Sequence, residues 1–199
     1  MDINYQEAYS LLRNHIEVFS KLTDLDWELL VPHLEIKALR KNHLFIREGK
    51  NASEIAFIIE GMFRQFYMKD GEEKTTYFYF ENQLMSSYIS CITGKPSLLT
   101  IEALSNSIYI SFPYEVLLNL FEKSMAWQKF GRRIAEYLGI GIEERMVSLL
   151  LQSPEERYLD LLNSNKKKII ERIPQHYIAN YLGITPVSMS RIRSRILNK

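Results

Sequence analysis

Apolar positions in the first 33 residues recur at helical spacing, with Tyr9, Leu12, His15-Ile16 and Phe19 on one side. Thr23, three residues before Asp26 and just ahead of Trp27, Leu29 and Leu30, predicts a helix N-cap with an acid in the first turn. From Glu35 to Phe112 the period shortens to that of strands: Leu44–Ile46, Ile55–Ile59, Phe63–Tyr67, Thr75–Phe80 and Ile108–Ile110. Polar and glycine turns separate these runs, and Asp70-Gly71 between two alternating runs predicts a tight hairpin. Many short strands at this spacing predict an antiparallel barrel or jelly roll rather than a parallel sheet.

After Pro113 the helical period returns. A short helix is expected through Tyr114, Leu117, Leu118 and Phe121, and a longer one from Met125 to Leu151. Along the longer helix Trp127, Phe130, Ile134, Tyr137, Leu138, Gly141, Ile142, Arg145 and Leu149 share a side, while Ala135, Met146 and Leu150 widen the apolar surface. Such a helix needs more than one cover: its own barrel and a second copy of itself, or else the core of a monomer. Gly131, Gly139 and Gly141 mark close approach between helices or a kink, because glycine costs ~1 kcal/mol in a helix interior relative to alanine.

Ser153-Pro154-Glu155-Glu156 reads as a capping box with proline at the first helical position, opening a helix from Glu155 to Leu162. Asn163 to Lys168 reads as a polar, basic loop. The expected organisation is residues 1–124 as N-terminal helices and jelly roll, 125–152 as the long helix, and 153–199 as a helical C-terminal domain. Within the last of these, Ile173–Leu182 forms a short helix, Gly183-Ile184-Thr185 a tight turn, and Pro186–Leu197 a second helix with Thr185 as its N-cap. That is the helix-turn-helix pattern. Ala179 is small where the second helix crosses, and Ile178, Leu182, Ile184, Met189 and Ile192 supply a shared core.

Charge agrees with this organisation. The formal net charge is +1, but Arg157 to Lys199 holds nine basic residues against two acids, a local charge of +7. Met1 to Glu156 is correspondingly acidic. A basic tail on an acidic body is expected where only one part approaches phosphates. The outer face of the second helix presents Val187, Ser188, Arg191 and Arg195, and arginine can reach guanine O6 and N7 bidentately. Lys166, Lys167, Lys168 and Arg193 suit phosphate contacts, which position without specifying. A solvated basic helix closing an α-helical subdomain is the plainer alternative.

The single cysteine, Cys91, excludes an internal disulfide and any cysteine-rich metal cluster, and reads as a small buried hydrophobe. The N-terminus lacks the basic start and apolar run of a secretion signal, and no apolar stretch reaches about 18 residues. The expected address is the cytoplasm, with no membrane partner.

Several runs in order resemble the Crp/Fnr family of bacterial regulators, especially the short versions common in Bacteroidetes. They are Phe57-Ile58-Ile59-Glu60-Gly61-Met62-Phe63-Arg64, Glu143–Leu150, Ser153–Tyr158, and Ile178-Ala179-Asn180-Tyr181-Leu182-Gly183-Ile184-Thr185-Pro186. The resemblance implies an α+β protein: an antiparallel cyclic-nucleotide-binding-like jelly roll, a long dimerisation helix and a winged helix-turn-helix. It implies a homodimer on double-stranded DNA with a pseudo-palindromic operator, with RNA polymerase as a further partner. Dimer contacts would fall on Phe130, Ile134, Tyr137, Leu138 and Ile142. The family's recognition-helix contacts would map onto Thr185, Pro186, Val187, Ser188 and Arg191; its frequent glutamate is replaced by Val187, which suits a thymine methyl, and with the sequence ending at Lys199 no full second wing is expected.

An effector pocket would map onto Ser86, Ser87, Tyr88, Ser97 and Leu98, with Gly141 and Ile142 where helix hydroxyls contact a base. The ribose carboxylate and phosphate-pairing arginine of cyclic-nucleotide binders are missing, so cyclic AMP is not expected and no cofactor is identified; an unknown small molecule, or none, would be the signal. Iron–sulfur sensing needs four cysteines, and the four histidines show no ligand cluster for haem. An enzyme is not expected, since a cupin-like metal site needs two or three histidines from barrel strands and only His43 lies there. The alternative is a jelly-roll small-molecule-binding or interaction module without sequence-specific DNA binding.

Overall fold

A computed structural model describes residues 4–163 and 167–197. Two helices open the chain, α1 (Tyr5–Phe19) and α2 (Asp24–Glu28). Thr23 and Asp26 form a reciprocal capping box at α2: the Asp26 amide donates to Thr23 Oγ1 at 3.1 Å and the Thr23 amide to the Asp26 carboxylate at 3.0 Å. Among the described residues eight strands follow: β1 (Glu35–Leu39), β2 (Leu44–Ile46), β3 (Glu54–Glu60), β4 (Phe63–Lys69), β5 (Glu72–Tyr79), β6 (Leu84–Met85), β7 (Thr100–Ala103) and β8 (Ser107–Pro113). They form two four-stranded sheets, ordered β1-β8-β3-β6 and β2-β7-β4-β5, which together make the jelly roll.

The strongest strand signals are where the sequence put them. Asp70 and Gly71 both take positive φ, 55° and 80°, and join β4 to β5 in the two-residue turn that matches strand twist. In β3, Ile55, Ala56, Phe57 and Ile58 are all buried, because the strand lies between β8 and β6 and is covered on both faces. The short or half-exposed strands β1, β6 and β7 carry too few contrasting positions to show a period. A six-residue helix, α3 (Tyr88–Thr93), interrupts the strand region and ends at Gly94 in a left-handed conformation.

Helices complete the chain: α4 (Tyr114–Lys123), α5 (Met125–Leu151), α6 (Pro154–Asn163), α7 (Lys167–Arg172), α8 (Gln175–Leu182) and α9 (Pro186–Leu197). Lys167 and Lys168, expected in a loop, instead lie in the first turn of α7, where Ile169 and Ile173 are buried and the packing selects a helix. Lys166 lies outside the described residues. From Pro154 to Leu197 the described residues are helical or turn and hold no strand, so they carry the helical part of the implied winged form without the wing.

The chain divides into two units, Met1–Gln65 with Phe78–Leu138, and Phe66–Tyr77 with Gly139–Lys199. In the first, one core joins Leu12 and Ile16 of α1, Ile55 and Phe57 of β3, Ile110 and Phe112 of β8, Leu117 and Leu120 of α4, and Trp127 and Phe130 of α5. Phe130 packs edge-on against both Trp127 and Phe19, so its ring is spent on the core of its own chain. Gly131 is where close helix approach occurs: an added Cβ would lie 2.5 Å from the Phe121 ring of α4. Gly139 and Gly141 meet nothing within 4 Å.

Candidate nucleic-acid interface and effector pocket

The helix-turn-helix is built by local bonds. Gly183 has φ 74°, its amide donates to the Asn180 carbonyl and the Ile184 amide donates to the Ala179 carbonyl, the paired bonds of a Schellman motif. Thr185 then caps α9: the Ser188 amide donates to Thr185 Oγ1 at 3.2 Å, and the Thr185 hydroxyl donates to Ser188 Oγ at 3.0 Å. Ala179, Ile178, Leu182, Met189 and Ile192 are buried between α8 and α9, with Ile184 partly so. This core leaves Thr185, Pro186, Val187 and Arg191 exposed on one side of α9. Val187 is 62% exposed, an apolar side chain held in solvent on the first turn of α9.

The basic residues divide by role. Among the described residues Arg191 makes no ion pair and stands on the exposed face. Arg195, expected on the reading face, pairs at 2.8 Å with Glu155 of α6, which draws its charge toward the protein. Arg193 is half-buried, and Lys167 and Lys168 are exposed. Ser188 is half-buried and tied into the cap.

Two arginines that sequence reasoning did not single out support the turn from behind. Arg157, counted as part of the basic tail, is buried; its guanidinium donates to the carbonyls of Gln152 at 2.5 Å, Leu182 at 2.8 Å and Ser148 at 3.4 Å. Arg145 of α5 stacks 3.9 Å from the centre of the Tyr181 ring and donates to the Tyr181 carbonyl. Burial pulls the Arg145 guanidinium below its ordinary range. The last carbonyls of α8 therefore receive cations, the favourable partner for a helix C-terminus. The only sequence signal was Arg145 on an otherwise apolar side of α5.

In the first unit, Ser86, Ser87 and Tyr88 open α3 and Ser97 and Leu98 follow it. The serine hydroxyls are committed internally. Ser87 and Ser97 are buried with their oxygens 2.8 Å apart, Ser97 Oγ also donates to the Leu99 carbonyl at 2.7 Å, and Ser86 Oγ donates to the Glu54 carbonyl at 2.9 Å. Leu98 points into solvent. Gly141 and Ile142 are exposed on the part of α5 that belongs to the second unit. Of the residues expected to face a second copy, Phe130 is buried, Ile134 partly so, and Tyr137, Leu138 and Ile142 are exposed.

Residues 36–124 match the family described as cyclic nucleotide-binding domain. Residues 36–124 are similar to such a domain, and over most of its length the chain has a fold like that of solved Crp/Fnr-type proteins. FixK2 from Bradyrhizobium japonicum superposes with a TM-score of 0.70 at 18% identity, over 83% of this chain and 85% of that one. A crp/fnr-family protein from Eubacterium rectale gives 0.70 at 19%, over 90% and 85%. The Catabolite Activator Protein of Thermus thermophilus gives 0.57 at 16%, over 91% and 86%. No curated protein sequence matches the chain. Among the described residues no helix is long and apolar enough to cross a membrane, and no group of three or more His, Cys, Asp or Glu is placed to hold a metal ion.

Proposed function

We propose that the chain is a DNA-binding transcription regulator of the Crp/Fnr type, acting as a homodimer and controlled by a signal other than a cyclic nucleotide, or by none. The observation that carries this reading is the capped helix α9, whose exposed side offers Val187 and an unpaired Arg191 beyond a Schellman turn. In a two-fold dimer the two α9 helices would enter major grooves ~34 Å apart on a pseudo-palindromic site, and RNA polymerase would be the next partner. Dimerisation is supported by the exposed apolar side chains of α5. Tyr137, Ile140, Ile142, Met146, Leu149, Leu150 and Leu151 form more apolar surface than an isolated helix keeps in water.

The signal is argued from the serines. Ser87 and Ser97 satisfy one another rather than facing a ligand, and no arginine lies between Ser86 and Leu98 to pair a phosphate. Titration calorimetry with cyclic AMP should give no binding heat, and a saturable exotherm would refute this part of the reading.

Fluorescence anisotropy on genomic DNA fragments across a salt series tests the function. Affinity should fall steeply with salt as several phosphates are neutralised; a complete lack of binding at low salt would sink the regulator reading. Arg191→Ala should cost about 1–3 kcal/mol on the specific site if Arg191 reads a base edge. An equal loss on all sequences would recast it as a phosphate contact.

A further inference from the structure

β5 stands last in its sheet, so among the described residues one of its edges has no strand beside it. An open edge presents backbone N–H and C=O groups in pairs. One such pair is taken by a side chain 105 residues further along. The Thr75 amide donates to Asn180 Oδ1 at 2.6 Å, and Asn180 Nδ2 donates to the Glu73 carbonyl at 2.7 Å. A carboxamide offers one acceptor and one donor in a plane, the complement of an N–H and a C=O two residues apart on a strand. Asn180 thus substitutes for a missing strand at the tip of the β4–β5 hairpin. It sits on α8, the first helix of the helix-turn-helix, and the Gly183 amide bonds its carbonyl in the turn that sets α9. The hairpin tip and the C-terminal helices accordingly form one compact unit, although β4 and β5 run on into the jelly-roll sheet.

We infer that Asn180 is a positioning residue, a latch by which the β4–β5 hairpin fixes the orientation of the helix-turn-helix. The contact is specific but not optimal. Thr75 is buried, and its side-chain hydroxyl has no hydrogen-bond partner among the described residues. The closed latch therefore carries the cost of one desolvated hydroxyl, which opening would relieve. A contact of two good bonds set against one orphaned group is suited to opening and closing. The latch gives the hairpin tip a hold on α8 and, through the Gly183 turn, on α9.

The test uses the full-length protein and two variants. Amide hydrogen exchange at Thr75 should accelerate roughly tenfold in Asn180→Ala, the equivalent of one lost hydrogen bond. It should slow in Thr75→Val, which keeps the shape and removes the orphaned hydroxyl. Unchanged Thr75 exchange in Asn180→Ala overturns the latch. The second readout rests on the DNA-binding reading above: affinity for DNA with two half-sites against DNA with one. Loosening the head should lower two-half-site affinity about threefold or more through lost preorganisation, with half-site affinity unchanged. Equal losses on both DNAs would place Asn180 inside the fold of the helix-turn-helix and overturn the positioning role. Should the wild-type protein bind no DNA, the regulator reading fails while the exchange measurement still decides the latch.

Discussion

Arg157 gives the sharpest test of how the C-terminal helices are held. Its guanidinium is buried and faces carbonyl oxygens, with two strong contacts to Gln152 and Leu182 and a longer one to Ser148. Hydrogen bonds to charged groups contribute about 1.5–3 kcal/mol each. Arg157→Ala removes two good ones and leaves the carbonyls at the ends of α5 and α8 without partners. The expected loss is about 3–6 kcal/mol, a large share of the stability of a small domain. Arg157→Met retains most of the stem packing but no donor, and should recover only about 1 kcal/mol. Arg157→Lys keeps the charge but not the planar fork that reaches separate carbonyls, and should fall between the two. Urea unfolding followed by far-ultraviolet circular dichroism, with amide exchange over α8 and α9, measures this. If Arg157→Ala lost less than about 1 kcal/mol, or Arg157→Met matched the wild type, the guanidinium would be passive filler and the reasoning refuted.

Other expectations follow from single features. Gly61 has φ 108°, and an added Cβ would fall 2.1 Å from Ser107 Oγ and 2.9 Å from the Ser107 Cα. Gly61→Ala should therefore lower stability by about 2–4 kcal/mol in thermal melts, through strain and overpacking together. In α5, Gly131→Ala drives a methyl into the Phe121 ring and should destabilise, whereas Gly139→Ala meets nothing and should add about 1 kcal/mol of helix stability. If a second copy packs against Gly139, that variant will instead raise the dimer dissociation constant in sedimentation equilibrium. His15 lies between Phe19 and Phe57, and burial lowers its pKa below the ordinary value. The unfolded chain then binds the proton more readily than the folded one. Stability is full above about pH 6.5 and declines as pH falls below it, and His15→Leu should flatten that segment of the stability–pH curve.

The amino-acid order alone determined the features that rest on near neighbours. Asp70-Gly71 specifies a turn because it tolerates two positive φ values, and the flanking runs need nothing further to pair. The same holds for Thr23 with Asp26, Ser153 with Glu156, and Gly183 with Thr185, whose bonds close within a few residues. The core between α8 and α9 was readable for this reason too, since Ala179 and Met189 are fixed by one turn and two periods. What only the tertiary structure decided involves partners far apart in the chain. Lys167 is helical because Ile169 and Ile173 find a core, which outweighs a polar local sequence. Phe130 could face a second copy or its own core on periodicity alone, and contacts with Phe19 settled that it faces inward. Arg157 and Arg195 look alike as charges in the sequence, yet one is buried against carbonyls and the other is paired with Glu155. Asn180 gave no local sign at all, because its partners at Glu73 and Thr75 are brought to it only by folding. Periodicity records which face of an element is apolar; the surface that covers that face, and the group that meets a given charge, depend on long-range packing.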